Sequence, residues 1–130
     1  MTILFDTDAF FALNISSDSN HAKARELLKS ASNSQNIFYV SNLVIQETAT
    51  VLSHKANQKI SLDFVSNIEK MPIEKIIVDQ KIENKSWEIF KNQHKNKISF
   101  IDCSNLAILE NYKLDYVFSF DHFYGNKRLK

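Results

Sequence analysis

Short apolar runs alternate along this chain with longer stretches in which apolar residues recur at helical spacing. Ile3-Leu4-Phe5 is the first run; it ends at Asp6 and predicts a buried strand carrying a carboxylate at its C-terminal end. After the cap candidates Asp18 and Ser19, residues Ala24, Leu27, Leu28 and Ala31 share one face of an amphipathic helix, and Ile37-Phe38-Tyr39-Val40 predicts a second strand. The Ser/Asn-rich stretch from Ser30 to Asn36 reads as their connection. From Asn42 to about Asn57 a helix is expected, with Leu43, Val51 and Leu52 on its apolar side, and Leu62, Val65 and Ile68 mark another that stops before Pro72. Ile73 to Val78 predicts a third strand, Ile82, Ile89 and Phe90 one stripe of the next helix, Ile101 to Tyr112 a further helix, and Tyr116-Val117-Phe118 a fourth strand. Apolar strands separated by helices make a parallel sheet covered on both faces, because parallel neighbours need long crossovers and helices supply them. The expectation is a three-layer α/β/α domain around a central parallel sheet of about four to five strands.

At 130 residues the chain has the length of one ordinary domain, spanning residues 1–130 with no room for a second. Apolar residues make up 44% of it, ten Phe among them, so a core forms without disulfides or structural metal. The lone Cys103 reads as a small core hydrophobe, fits a reducing compartment, and makes the expected location cytoplasmic. Asp6 and Asp8 interrupt the apolar start, which therefore does not read as a signal peptide, and no stretch approaches a membrane span. With Gly125 as the single glycine, a glycine-rich phosphate loop or dinucleotide fingerprint is excluded; GxSxG, CxxC and HExxH are also missing. Net charge is +1, so any attraction to phosphate must be local. The basic groups Lys91, His94, Lys95 and Lys97, and the tail Lys127, Arg128 and Lys130, read as a solvated helix face and a terminus. Trp87, on an amphipathic helix, reads as core or as a dimer face and not as a base-stacking platform.

What remains in quantity is carboxylate. In open α/β sheets ligand sites gather at the C-terminal ends of strands, and Asp6 and Asp121 follow the runs expected as first and fourth strands. Glu47 and Asp102 lie on helices expected to leave the same edge. Glu47 is four residues from both Leu43 and Val51, and Asp102 is four from Leu106 near the start of its helix. A buried charge without a partner is expensive, so acids on apolar helix stripes call for a cation or a cationic side chain. Taken singly, each has an ordinary role: Asp102 a helix cap, Asp6 and Asp8 a strand end and helix start, Glu47 a partner for Lys55, Asp121 a turn ahead of Gly125. Their joint placement at one edge is what singles them out.

The stretches ILFDTDAFFAL, YVSNLVIQETATVL, SFIDCSNLAIL and YVFSFDHFY, taken in that order, resemble the acidic segments of the PIN-domain family, in particular its VapC-type toxin ribonucleases. The resemblance covers essentially the whole chain. It implies a PIN-like fold and endoribonuclease activity dependent on Mg²⁺ or Mn²⁺, with Asp6, Glu47, Asp102 and Asp121 as catalytic metal ligands. Thr7, Asn42, Ser104 and Ser119 are expected to line the site. Where some relatives carry another acid one turn beyond the third, this chain has Asn105 and Leu106. RNA as substrate, pairing as a homodimer and neutralisation by a small antitoxin protein are likewise what the resemblance implies. The chemistry suits oxygen donors, since hard divalent cations prefer carboxylates, and no His or Ser nucleophile is then required.

Other readings use the same residues. A PIN nuclease in RNA maturation or decay presents the same acids. A non-catalytic RNA-binding or interaction module has no physical reason to keep acids on apolar stripes. Asp6-Thr7-Asp8 also matches the start of haloacid-dehalogenase-type phosphatases, but their later lysine and paired acidic motif are not evident.

Overall fold

The computed structural model describes residues 1–32 and 35–130; Asn33 and Ser34, inside the expected connection from Ser30 to Asn36, lie outside the described residues. The strands are β1 (Thr2–Phe5), β2 (Ile37–Ser41), β3 (Ile73–Ile76) and β4 (Tyr116–Phe118), joined in one parallel sheet of order β3-β2-β1-β4. The helices are α1 (Thr7–Asn14), α2 (His21–Ser32), α3 (Asn42–Lys55), α4 (Gln58–Lys70), α5 (Gln80–Lys91) and α6 (Phe100–Asn111), followed by a short 3-10 segment, His122–Lys127. The expected α/β architecture with a four-stranded parallel sheet is the one observed.

Alternation along β1 builds the layers. Ile3 and Phe5 enter a core shared with α1, α2, α3 and α4, while Leu4 points to the other face and packs with Ile82 of α5 and Ala107 and Ile108 of α6. Phe5 stacks on Phe10 at 4.5 Å between ring centroids and touches Phe118 at 5.1 Å, so β1, α1 and β4 are tied by aromatic contact.

On each of three helices one expected apolar residue is buried as expected, Leu52 on α3, Ile68 on α4 and Ile82 on α5, while the rest of the expected stripe is half-buried or exposed. On α3 the buried residues are Val44, Thr48 and Leu52, one position on from the stripe through Leu43 and Val51. On α4 they are Ser61, Phe64 and Ile68, leaving Leu62 58% exposed. On α5 they are Ile82 and Ser86, and Phe90 faces out. Each displaced stripe contains a small hydroxyl that satisfies itself on a carbonyl: Thr48 on Val44 (2.7 Å), Ser86 on Ile82 (2.6 Å) and Ser61 on Ala49 (2.6 Å). The third strand is shorter than expected, ending at Ile76; Ile77 is exposed, and the N–H of Val78 is taken by the Asn42 side chain at 2.9 Å. Among the described residues no helix is long and apolar enough to cross a membrane.

Candidate active site

Order β3-β2-β1-β4 means the chain winds outward from β1 to β3 and then returns to the other side of β1. The reversal lies between β1 and β4, and the crevice beyond their C-terminal ends is where open sheets of this kind take ligands. A cleft of about 270 Å³ opens there, with Asp6, Asp8, Glu47, Asp102 and Asp121 in its lining. A larger cavity of about 850 Å³ lies elsewhere, among Phe10, Leu13, His21 and Phe64, and holds none of these acids.

Asp6 ends β1 and caps α1. One carboxylate oxygen accepts from the Thr7 N–H (2.8 Å) and from the Asn105 amide (3.1 Å); the other accepts from the Ser119 hydroxyl (2.9 Å). Burial and then the neighbouring Asp8 carboxylate push its pKa up to about 7, Asp102 adding to the rise and the hydrogen bonds from Thr7 and Ser119 opposing it. Asp8, two residues on in the first turn of α1, accepts from the Phe120 N–H (2.9 Å) and from Ser119 (3.1 Å). Burial raises its pKa too, with help from the charge of Asp121 and against hydrogen bonds from Phe120, Ser119 and Ala9, and among the described residues no group stands in hydrogen-bonding geometry to its buried second oxygen.

Asp102 stands in the first turn of α6, where it and Ser99 form a reciprocal capping box, each side chain meeting the other's N–H at 3.0 Å. The expected cap role is therefore real, with Ser99 as the cap itself. The remaining Asp102 oxygen accepts from the buried Tyr124 hydroxyl at 3.3 Å. Its pKa is raised by burial and by Asp121, against hydrogen bonds from Ser99 and Tyr124. Glu47 projects from the flank of α3, half-buried, and accepts from the Thr7 hydroxyl at 2.8 Å. Asp121 follows β4 and caps the 3-10 segment through the Phe123 N–H at 2.9 Å. The expected alternative for Glu47, a pair with Lys55, is not among the ion pairs of the described residues; the Lys55 ammonium lies over the Phe11 ring, 5.8 Å from its centroid.

The structure brings Asp6, Glu47, Asp102 and Asp121 to one cleft, with Thr7 beside them. Ser119 is buried beneath, bonded to Asp6 and Asp8. Asn42 and Ser104 are placed elsewhere: Asn42 ties α3 to the segment after β3, and Ser104 bonds back to the Ile101 carbonyl at 2.8 Å. Sequence reasoning passed over Asp8, Asn105 and Tyr124 as site residues. The fully buried Asn105 amide donates to Asp6 and to the Tyr124 oxygen (both 3.1 Å), so Asp6, Asn105, Tyr124 and Asp102 form one chain of hydrogen bonds. The signals that could have found them are the DxD spacing for Asp8 and the helical turn between Asp102 and Asn105; Tyr124 carried none.

The donor set is made of hard oxygens, the kind that Mg²⁺ and Mn²⁺ take, and no Lys, Arg or His forms an ion pair with these acids among the described residues. The side chains are spread over local hydrogen bonds, and among the described residues no group of three or more His, Cys, Asp or Glu stands ready-made around a single point. The raised acids and the orphaned Asp8 oxygen nevertheless fit a cation in the cleft, because positive charge there opposes every repulsion just described.

The family model described as PIN domain matches residues 3–124. No curated protein matches the chain. Among solved structures, it is similar to VapC20 of Mycobacterium tuberculosis, described as a sarcin-ricin loop cleaving toxin, at 21% identity and a TM-score of 0.86, covering 95% of this chain and 93% of that one. It is also similar to a chain of a toxin-antitoxin complex from Klebsiella pneumoniae, at 18% identity and a TM-score of 0.63, covering 92% and 87%. At these identities the likeness is one of fold.

Proposed function

The chain belongs to the PIN domain family, and from that premise we propose that it is a divalent-metal-dependent endoribonuclease hydrolysing RNA phosphodiester bonds, acting as the toxin of a type II toxin-antitoxin pair. One observation carries the reading: Asp6, buried at the end of β1, sits within the repulsion of Asp8 and Asp102 with no cationic side chain paired to it among the described residues. Such crowding is costly unless a cation or a proton offsets it.

In this reading Asp6, Glu47, Asp102 and Asp121 hold Mg²⁺ or Mn²⁺. When bound, such an ion supplies Lewis acidity, lowering the pKa of water and countering charge on the phosphodiester. The chain's own part is to aim and hold the oxygens. Asn105 and Ser119 fix the two oxygens of Asp6, Thr7 fixes Glu47, and the Ser99 box with Tyr124 fixes Asp102. Lys55, on the cleft wall, is a candidate contact for substrate phosphate. The fold shared with VapC20 and with the Klebsiella complex supports the toxin role. We place the protein in the cytoplasm, as a homodimer neutralised by a small antitoxin protein.

The test is cleavage of mixed RNAs by the purified protein in Mn²⁺ and in chelator. Losing hydrogen-bond partners of metal ligands already costs about 10–100-fold, so Asp6→Asn or Asp121→Asn is expected to lose at least about a hundredfold. Cleavage that persists in chelator, or at full rate in both variants, overturns the metal mechanism. Growth arrest on expression, relieved by the product of an adjacent small gene, tests the toxin role separately.

A further inference from the structure

Trp87 is the chain's single tryptophan, and it is 43% exposed, which removes the expectation that it is core. It does not stand alone. Its ring meets Phe100 at 4.3 Å and Phe90 at 5.7 Å, the latter edge-on, and Phe90 is itself exposed. Two independent features border this aromatic surface. The segment from Lys91 to Ser99, which joins α5 to α6, carries exposed Lys91, His94, Lys95 and Lys97 and no acidic residue. Its last residue, Ser99, lines the acidic cleft and caps Asp102, and Phe100 comes next. The patch is thus continuous with the cleft through the chain itself.

We propose that Trp87, Phe90 and Phe100, with Lys91, Lys95 and Lys97, form a platform on which unpaired bases of the RNA stack beside the scissile bond. The proposal rests on the nuclease reading and adds to it the surface that holds the bases next to the cleft. Aromatic faces accept any base, and lysines along a groove track the phosphates. In duplex RNA the base faces are already stacked inside the helix and unavailable to the platform. A second copy of the chain is the competing occupant; the exposed lysines that follow the aromatic residues, complementary to phosphate, favour RNA.

The single tryptophan provides the readout. In chelator, where no cleavage occurs on the nuclease reading, a labelled single-stranded RNA dodecamer is titrated with the full chain, following Trp87 emission and RNA anisotropy. Single-stranded RNA is expected to quench Trp87, and the duplex form to leave it unchanged. Trp87→Ala is expected to weaken binding about tenfold and Trp87→Phe to retain most of it. Lys95→Ala with Lys97→Ala is expected to flatten the log–log salt dependence by about 1.4. Unchanged emission at saturating RNA, or equal affinity of Trp87→Ala, overturns the platform. So does emission that follows protein concentration and not RNA, with Trp87→Ala turning a dimer into a monomer by light scattering; that result assigns the face to a second copy. Mn²⁺-dependent cleavage without quenching sinks the platform alone, whereas quenching without cleavage sinks the nuclease reading and the placement beside a scissile bond, leaving only an RNA-binding face.

Discussion

Ser119 has one hydroxyl proton and two carboxylates within reach, Asp6 at 2.9 Å and Asp8 at 3.1 Å, while its oxygen accepts from the Asp121 N–H at 3.1 Å. It can donate to only one of them at a time. Without a cation the other contact is a hydrogen bond only if that carboxyl carries a proton, which agrees with pKa values raised at both. The consequence for stability has a definite sign. Asp6 binds its proton more tightly folded (about 7) than unfolded (3.8), so its contribution is fully present below about pH 4 and is lost as pH rises through 7. For this one group the loss is about 1.4 kcal/mol per pH unit across that window. Urea unfolding in chelator between pH 4 and 7 is expected to show the wild type falling relative to Asp6→Asn, which keeps the helix cap without the charge. Parallel pH profiles for the two proteins contradict the assignment. Sequence alone pointed at Asp6, since an apolar strand ending in an acid is legible. It did not reveal Asp8, because a second acid in a first helical turn has an ordinary explanation in the helix dipole, and its burial depends on Ser119 and Phe120, more than a hundred positions away along the chain.

At the scale of elements, strands and helices were legible because their apolar periods are strong, and helix rotation was less so. Thr48, Ser61 and Ser86 read as polar in a hydrophobic pattern, yet a hydroxyl bonded to a nearby carbonyl is small and nearly apolar to its surroundings. Skipping them moved the inferred stripe to Leu43 and Leu62, whose neighbours at helical spacing are also aliphatic. The rotation bears on the site, because it leaves Glu47 on the flank of α3, toward the cleft and off the buried stripe of Val44, Thr48 and Leu52. A related economy ends α6. The Leu114 N–H reaches back to the Leu109 carbonyl at 3.0 Å, Leu109 and Leu114 share a core cluster, and the residue between cap and return is Lys113 at φ 53. This is the Schellman geometry, which ordinarily takes glycine. A left-handed non-glycine residue costs about 1–2 kcal/mol, against about 0.5–1 kcal/mol that glycine loses in the unfolded chain. Lys113→Gly is therefore expected to stabilise the protein by roughly 0.5–1 kcal/mol in denaturant melts; a destabilised variant shows that the lysine side chain supplies more than the turn.

At the scale of the molecule, the sheet order collects negative charge at one place. β1 delivers Asp6, β4 delivers Asp121, and α3 and α6 bring Glu47 and Asp102 to the same crevice. No one element carries the site, so no single motif announced it; four weak signals in a workable topology did. The same distribution means that a cation in the cleft would bridge elements far apart in sequence, and its binding energy would appear as resistance to unfolding of the whole fold. At pH 7.5, Mn²⁺ at a hundred times its dissociation constant is expected to add about 2.7 kcal/mol, a rise of several degrees in Tm for a domain this size. Near pH 5 protons compete for the raised carboxyls and the rise is expected to shrink. Asp6→Asn and Asp121→Asn are expected to lose most of it, whereas an acid outside the cleft such as Asp63, paired with Lys59 on α4, is expected to leave it intact when changed to Asn. Calorimetric scans of the four proteins with and without Mn²⁺ decide the matter. Equal rises in all four place the cation elsewhere on the surface and leave the crowded carboxylates to be neutralised by protons alone.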